Sequence, residues 1–471
     1  MAKVVVLGAG LSGLASAALL AQAGHQVTVL ERNSWVGGKS RRIEVLGQRM
    51  DTGPALVTYP EVWENFLSTY DSLGAKKAAD VIDLKFEKLP EIGRYYLRNH
   101  VTYLPVKPEH HWFKPWERFA TQHDRLTPAI TKLLTLSPFS LKTLAPVGKI
   151  AGTYGINLTT SSYINSLDYM PKGLKEVIAI HTLNAGISPK RSLALYASMT
   201  ASMASQGISV PVGGVNEIAQ SIFQLALAAG ATVKLNAKVT KVSKGLVEVD
   251  GERYQFDQLV SSIDPFVLKQ LMGKPKAEPK LSSCSGVAIY AVLKNPLPEE
   301  IVTHSVIMPD DSDQLFEAIE AKRPPKQTMT FVNYYRAGHI YPNSKPTVAV
   351  LLTAPADGKA HDLNSEWVRQ ELDRVSEKLG LSSPIDELFE DYQLLNPEYF
   401  SVYGAKDGAL YGATKPLWQS GPFHAPAHHN PMRPWLWRVG ASVHPGGGIP
   451  AVLGSAQITT AKLLRKLGKG K

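Results

Sequence analysis

Cys284 is the only thiol in 471 residues. One cysteine rules out an intrachain disulfide framework and a thiolate-rich metal site. It stands in Leu281-Ser282-Ser283-Cys284-Ser285 with no histidine or second cysteine beside it, so it reads as structural. Internal repeats and low-complexity linkers are missing as well, which points to interwoven domains rather than modules strung in series. No nucleic-acid motif occurs, and the basic residues are not interleaved with aromatics, so no nucleic-acid partner is expected. Metal spacing is equally poor. His110 and His111 are adjacent, so their side chains should diverge; His424 and His428 are four apart, but Pro426 between them argues against the helix they would need. No metal is expected.

What the chain does have is an excess of positive charge, +10 from 51 Lys+Arg against 41 Asp+Glu, with 44% hydrophobic and 20% charged residues. This is an ordered globular composition, long enough for two or three lobes. Lys462, Arg465, Lys466, Lys469 and Lys471 concentrate at the C-terminus, where cations suit a helix end or an anionic surface. From about Val81 to Gln206 the composition shifts. His110-His111-Trp112-Phe113-Lys114-Pro115-Trp116 is aromatic and basic, and residues 133–156 are apolar with lysines and no acid. That stretch reads either as core with loops or as a surface dipping into a lipid interface.

Lys3-Val4-Val5-Val6-Leu7 reads as a buried strand, followed at once by Gly8-Ala9-Gly10-Leu11-Ser12-Gly13. A helical stretch from Leu14 to Ala23, a second strand from Gln26 to Leu30 and the acid Glu31 complete a βαβ dinucleotide fingerprint. Gly8 makes the turn, Gly10 admits backbone to a pyrophosphate, and Gly13 lets helix pack on strand. Glu31 suits ribose hydroxyls and disfavours a 2′-phosphate. Val4 to Ala23 is uncharged and follows a lysine, so a signal peptide or membrane span competes, but neither needs glycines at this spacing. The chain is therefore expected to begin in the cytoplasm.

At the far end, Leu436 to Gly440 reads as a strand running into Ala441-Ser442-Val443-His444-Pro445-Gly446-Gly447-Gly448-Ile449-Pro450 and a helix with proline in its first turn. Such a turn either caps a surface helix or aims free N–H groups at an anionic or electron-rich ligand. Between the ends, Gly37-Gly38-Lys39 suggests a turn against a phosphate and Asp51-Thr52-Gly53-Pro54 a tight turn. Val212-Gly213-Gly214 opens a helix to Ala229. A strand is expected over Val233–Val242, a hairpin over Gly245–Tyr254 and a returning strand over Phe256–Ile263. Strands at Gly286–Leu293 and Pro346–Leu352, and a helix over Trp367–Leu379, follow.

Together with Thr58-Tyr59-Pro60, Asn236-Ala237-Lys238-Val239 and Gln419-Ser420, these motifs resemble the bacterial phytoene desaturase family of carotenoid desaturases and isomerases, within the amine-oxidase-like flavoproteins. About half the chain carries the resemblance. It implies an α/β fold: a Rossmann-type, two-dinucleotide FAD-binding domain interwoven with a mixed α+β substrate domain and a helical membrane-facing lobe. The expected bounds are 1–78, 208–268 and 405–471 for FAD, and 79–207 with 269–404 for substrate and membrane.

The resemblance implies that Gly8, Gly10, Leu11, Ser12 and Gly13 hold the pyrophosphate and Glu31 the ribose, with Arg32, Gly38 and Lys39 beside the phosphates. Val239 would face the adenine. Gly440 and Ala441 would approach the pyrophosphate, and Gly448 and Ile449 the flavin. Asp51 and His444 are the candidate polar groups near the ring, though both could simply brace turns. The implied activity is FAD-dependent introduction of double bonds into a polyene, on phytoene or a later carotenoid. Flavin-dependent isomerisation, amine oxidation and non-redox binding are the alternatives. The implied partners are a carotenoid or other isoprenoid polyene, a membrane surface bound peripherally, and quinone or oxygen as electron acceptor.

Overall fold

In the computed structural model, which describes residues 1–275, 279–403 and 405–468, Lys3–Leu7 is the central strand of a five-stranded parallel sheet. The order is Leu436–Arg438, Gln258–Ser261, Lys3–Leu7, Gln26–Leu30, Thr232–Lys234, with every neighbouring pair parallel. Strands from the two ends and the middle of the chain are thus interleaved. A parallel sheet must be covered on both faces, which is why its strands read as unbroken apolar runs. On one face lie the helices Asn216–Ala228 and Ile449–Leu467, each packed against Leu11–Gln22. Leu11–Gln22 is buried all round, so its sequence is nearly uniform in alanine and leucine rather than amphipathic. On the other face, Val5, Leu7 and Leu30 meet Val242, Val247 and Val249 of the antiparallel meander Val239–Ser243, Leu246–Val249, Glu252–Gln255.

One expected strand is cut in two. Val233–Val242 separates into Thr232–Lys234 in the parallel sheet and Val239–Ser243 in the meander. The break falls at Asn236, whose φ is +55° and whose N–H bonds the carbonyl of Asn33. Alternating hydrophobicity continues through it, but the left-handed residue turns the chain from one sheet to the next. The helix expected from Val212 begins only at Asn216, because Gly213 and Gly214 both hold positive φ.

A seven-stranded mixed sheet forms the second body, ordered Phe389–Leu395, Ser285–Leu293, Thr347–Ala354, Thr330–Tyr335, His304–Ile307, Gly93–Leu97, His100–Leu104. Ser285–Leu293 is buried at all nine positions, and its period of two divides the contacts. Val287, Ile289, Ala291 and Leu293 pack in the cluster of the Glu366–Leu379 helix. Ala288, Tyr290 and Val292 pack on Ile43, Val45 and Met50 of the hairpin Arg42–Val45/Gln48–Asp51. Phe86–Leu89 pairs with Ile208–Pro211 at the seam between the bodies.

Helices Phe113–Asp124, Thr127–Thr135, Leu144–Tyr154, Thr160–Asn165, Lys172–Ala179 and Leu195–Gln206 make a helical lobe. Leu195–Gln206, rich in alanine and serine, lies against Phe113–Asp124, where His123 sits between the Ser198 hydroxyl (2.6 Å) and the Tyr163 hydroxyl (2.7 Å). Small side chains let the helices approach closely and leave room for that buried polar cluster. Among the described residues no helix is long and apolar enough to cross a membrane.

Candidate cofactor and active site

Three glycine-bearing segments meet at the carboxyl ends of the parallel strands, the place where open α/β sheets leave a crevice. Gly8 turns with φ +91°, and its N–H bonds the carbonyl of Leu30. A Cβ on Gly13 would lie 2.1 Å from the Gly8 carbonyl oxygen, so only glycine fits there. Gly10, the N-cap of Leu11–Gln22, has no side-chain cap, and a Cβ on it would meet only the Ser262 hydroxyl, at 3.6 Å. Its outer side is open. Gly37 pairs with Gly10, and a Cβ on Gly38 would touch Gly10 at 3.2 Å. From the other end of the chain Gly440, at φ +96°, comes so close that a Cβ would sit 3.0 Å from the Ser12 hydroxyl. The Gly440 N–H donates to Ser455 Oγ at 2.8 Å, pinning the loop to the C-terminal helix.

Glu31 closes one end of this crevice. Its carboxylate accepts the N–H groups of Ala9 (2.7 Å) and Asn33 (2.9 Å), and its carbonyl accepts that of Ala237 (2.7 Å). Each carboxylate oxygen keeps acceptor capacity beyond that one bond. Val239, two residues on, begins a strand whose register slips between Val239 and Lys241, a bulge that leaves backbone out of the ladder. At the opposite end Gly448, at φ +93°, precedes Ile449–Leu467 with no side-chain cap, so the first N–H groups of that helix stay open. Ala441 is half-buried beside Gly447, over which the Tyr411 ring packs.

Cations stand at the mouth. Lys39 donates to the Leu410 carbonyl, lies 6.0 Å from the Tyr403 ring, and is open to solvent in a recess walled by protein. Burial pushes its pKa down to about 8, partly offset by the Asp264 carboxylate. Arg32 is exposed, donates to the Val402 carbonyl and lies 5.7 Å over Tyr403.

The two acid–base candidates are both engaged. Asp51 is buried, paired with Arg42 at 2.9 Å, and accepts the Asn216 N–H at 2.8 Å; burial raises its pKa and Arg42 opposes that. Arg42 also reaches Glu217 at 2.8 Å and the Gly213 carbonyl, so Asp51 locks the hairpin to the Asn216–Ala228 helix. Beside it a cavity of about 10 Å³, bounded by Asp51, Tyr290, Asn333, Tyr335 and Tyr341, has room for about one water. His444 places Nδ1 3.1 Å from the Gly421 carbonyl and Nε2 3.2 Å from that of Leu133. Burial lowers its pKa while the two carbonyls oppose the shift. Both residues brace the crevice walls.

Sequence reasoning missed Arg42, Asn216, Ser262, Ser455 and Tyr411. Only Asn216, just past Gly213-Gly214 at a helix start, carried a local signal. Cys284 is buried, with its thiol pushed up to about 12. His110 and His111 do not diverge as expected: their rings stack at 4.4 Å in a turn beside Trp112. His424 and His428 lie in irregular backbone, and among the described residues no group of three or more His, Cys, Asp or Glu suits a metal ion. Lys469 and Lys471 lie outside the described residues.

An uncapped pair of helix N-termini, an open Gly10, a cation recess and a buried acid 22 residues from Ala9 fit an extended dinucleotide with a pyrophosphate in the middle. Comparison with known proteins agrees. Two curated relatives, the 4,4'-diapophytoene desaturases (4,4'-diaponeurosporene-forming) of Staphylococcus haemolyticus strain JCSC1435 and Staphylococcus aureus strain MRSA252, are each 26% identical over 99% of this chain and all of their own length. Among solved structures, wild-type putrescine oxidase bound to putrescine matches with a TM-score of 0.63 at 16% identity, covering 98% of this chain and 99% of its own. Cyclohexylamine oxidase from Brevibacterium oxydans IH-35A matches at 0.64 and 14%, covering 99% of each chain. These likenesses establish the fold. The model of the family described as flavin containing amine oxidoreductase matches residues 11–459, and the chain belongs to that family, an FAD-dependent oxidoreductase.

Proposed function

We propose that the protein is an FAD-dependent carotenoid desaturase. The observation that carries this reading is the match of 99% of the chain to the full length of the diapophytoene desaturases. The cofactor-holding unit is assigned to 1–78, 208–268 and 405–471, and the substrate and membrane unit to 79–207 and 269–404.

FAD, when bound, supplies the two-electron acceptor for removing two hydrogens from adjacent carbons of the polyene, which leaves one new C=C bond. Gly8, Gly10, Leu11, Ser12 and Gly13 would hold the pyrophosphate through the N-terminus of Leu11–Gln22. Gly38, Lys39, Gly440 and Ala441 flank it, with Arg32 at the mouth. Glu31 would take the ribose hydroxyls on its remaining lone pairs, and the bulged backbone at Val239 would be available to the adenine. Gly448 and Ile449 would offer the open N–H groups of the Ile449–Leu467 helix to the flavin, and a helix N-terminus there would favour the negative charge of the reduced form. Asp51 and His444, each already engaged on both sides, are positioning residues with no proton-transfer step assigned.

A hydrocarbon already dissolved in lipid gains little from entering an apolar site, so the enzyme has to open onto the bilayer. The helical lobe offers the surface for this. Leu144 (66% exposed) and Leu141 (84%) project beside Phe139, whose ring meets that of Phe423 at 5.7 Å, with Trp418 nearby in chain order. Lys142 adds charge next to Leu141. The protein in this reading is peripheral, on the cytoplasmic side, and passes electrons to quinone or oxygen.

Anaerobic holoenzyme mixed with polyene-loaded vesicles should bleach its oxidised-flavin absorbance and give a product lighter by two hydrogens per step. Bleaching by amines alone would overturn the reading in favour of amine oxidation, and a product of unchanged mass would indicate isomerisation.

A further inference from the structure

The Leu144–Tyr154 helix buries little of itself. Only Pro146 and Tyr154 are fully buried, while Leu144, Val147, Gly148 and Ala151 are exposed. Turning about 100° per residue, these four share the outward face, and it carries no charge. Lys149 lies well round the helix from those four, beyond the exposed Ala145 and Gly152 and next to Thr153, where the uncharged exposed arc ends. There a groove of about 630 Å³ runs between this helix and Phe113–Asp124, lined by Lys114, Arg118, Arg125, Lys149 and Thr153, with Glu117 as its carboxylate. Four cations against one acid leave it at +3. Glu117 is held by Lys114 at 3.2 Å, and Arg118 stacks 3.9 Å over the Tyr169 ring. From Arg125 to Leu167 the chain has no Asp or Glu but four cations, Arg125, Lys132, Lys142 and Lys149. An apolar face and a cation-lined groove on one helix match the two layers of a membrane surface, acyl chains beside phosphates. A second copy of the chain would bring the same positive charge against itself.

We infer that this groove is a binding site for the phosphate of an anionic lipid headgroup, seated there when the neighbouring apolar face enters the bilayer. The guanidinium forks of Arg118 and Arg125 suit phosphate oxygens, and Lys149 links the groove to the inserted face. The inference rests on the membrane-docking part of the proposed function and makes that docking selective: anionic bilayers bind, and neutral ones bind weakly.

The test is flotation of the holoenzyme with vesicles of phosphatidylcholine alone or mixed with phosphatidylglycerol. Wild type should prefer the anionic vesicles. Each cation near such a surface contributes about fivefold, ~1 kcal/mol, so Arg118→Gln with Lys149→Gln should lose roughly 25-fold there and change little on neutral vesicles. Lys149→Arg should bind as wild type does. Leu144→Ser with Val147→Ser should lose binding to both vesicles. Retained flavin absorbance shows that each variant is folded. If the double glutamine variant binds anionic vesicles like wild type, the groove assignment falls while docking stands. If wild type binds neither vesicle, docking itself falls, and bleaching by detergent-dispersed polyene still reports the desaturase reading separately. If inorganic phosphate binds wild type by calorimetry and not the double glutamine variant, while wild type shows no preference for anionic vesicles, the groove takes free phosphate and the headgroup assignment falls.

Discussion

Lys39 is the residue at which the crevice's electrostatics are most exposed to test. Its side chain is exposed, yet the protein packed around it pushes its pKa down to about 8, with the Asp264 carboxylate opposing. A pyrophosphate beside it favours the ammonium, so FAD binding should raise that pKa and take up a proton. The sign follows: FAD affinity is fully expressed below about pH 8 and falls as pH rises above it, by at most tenfold per pH unit for one proton. Fluorescence titration of apoprotein with FAD across this range should show that fall, and Lys39→Met should bind more weakly and without the pH step. An unchanged profile in the variant would remove Lys39 from the phosphate site. The glycines around it were legible in the sequence because each answers a local demand, a positive φ at Gly8 or a 2.1 Å approach at Gly13. Lys39's partner Leu410 is 371 residues away. The Arg42–Glu217 and Gly440–Ser12 contacts are likewise made by distant chain segments, and no periodicity announces them.

Among the elements, Ile449–Leu467 joins the glycine-lined crevice to the helical lobe, since its N-terminus follows the Gly440–Gly448 loop and its side packs on Thr127–Thr135. A Cβ on Gly454 would stand 1.9 Å from the Leu134 carbonyl oxygen at the end of Thr127–Thr135. One turn earlier in space, His444 holds the neighbouring Leu133 carbonyl. Gly454→Ala therefore has to push the lobe helix away, an overpacking cost of about 1–3 kcal/mol. The expected result is a lower thermal midpoint and weaker flavin retention, read by calorimetry and by the flavin-to-protein absorbance ratio. Unchanged values would show that the lobe gives way freely. The helix itself was legible, as were Lys3–Leu7, Gln26–Leu30, Ser285–Leu293 and Glu366–Leu379, whose periods are strong and whose ends carry glycine, proline or charge. The Thr232–Ser243 stretch was not, because one left-handed asparagine redirects a pattern that stays regular on either side. The 133–156 stretch stayed ambiguous, since apolar side chains look alike in sequence whether they face core or solvent.

At the scale of the molecule, buried histidines tie stability to pH. His123 in the helical lobe, His181 against the Tyr95 hydroxyl (2.9 Å), His304 in the large sheet and His424 near the C-terminal loop are all lowered to about 4, and His428 to about 3, by burial. In the unfolded chain each titrates near 6.5. Below that pH the unfolded state gains protons the folded state refuses, so stability is greatest above about 6.5 and is lost as pH falls toward 4. Each histidine costs up to about 1.4 kcal/mol per pH unit in that window. Asp51, Asp264 and Glu371 run the opposite way, since burial raises their pKa values and protonation then favours the fold. Their ordinary values lie near 4, so the histidines, near 6.5 when unfolded, take the upper part of the window. The thermal midpoint should therefore fall steeply from neutral pH to about pH 5. His123→Gln, which keeps a donor for the Ser198–Tyr163 cluster but cannot titrate, should make the fall shallower by the equivalent of one proton. A midpoint flat across that range, or a variant with the wild-type slope, would show that these imidazoles are protonated inside the fold.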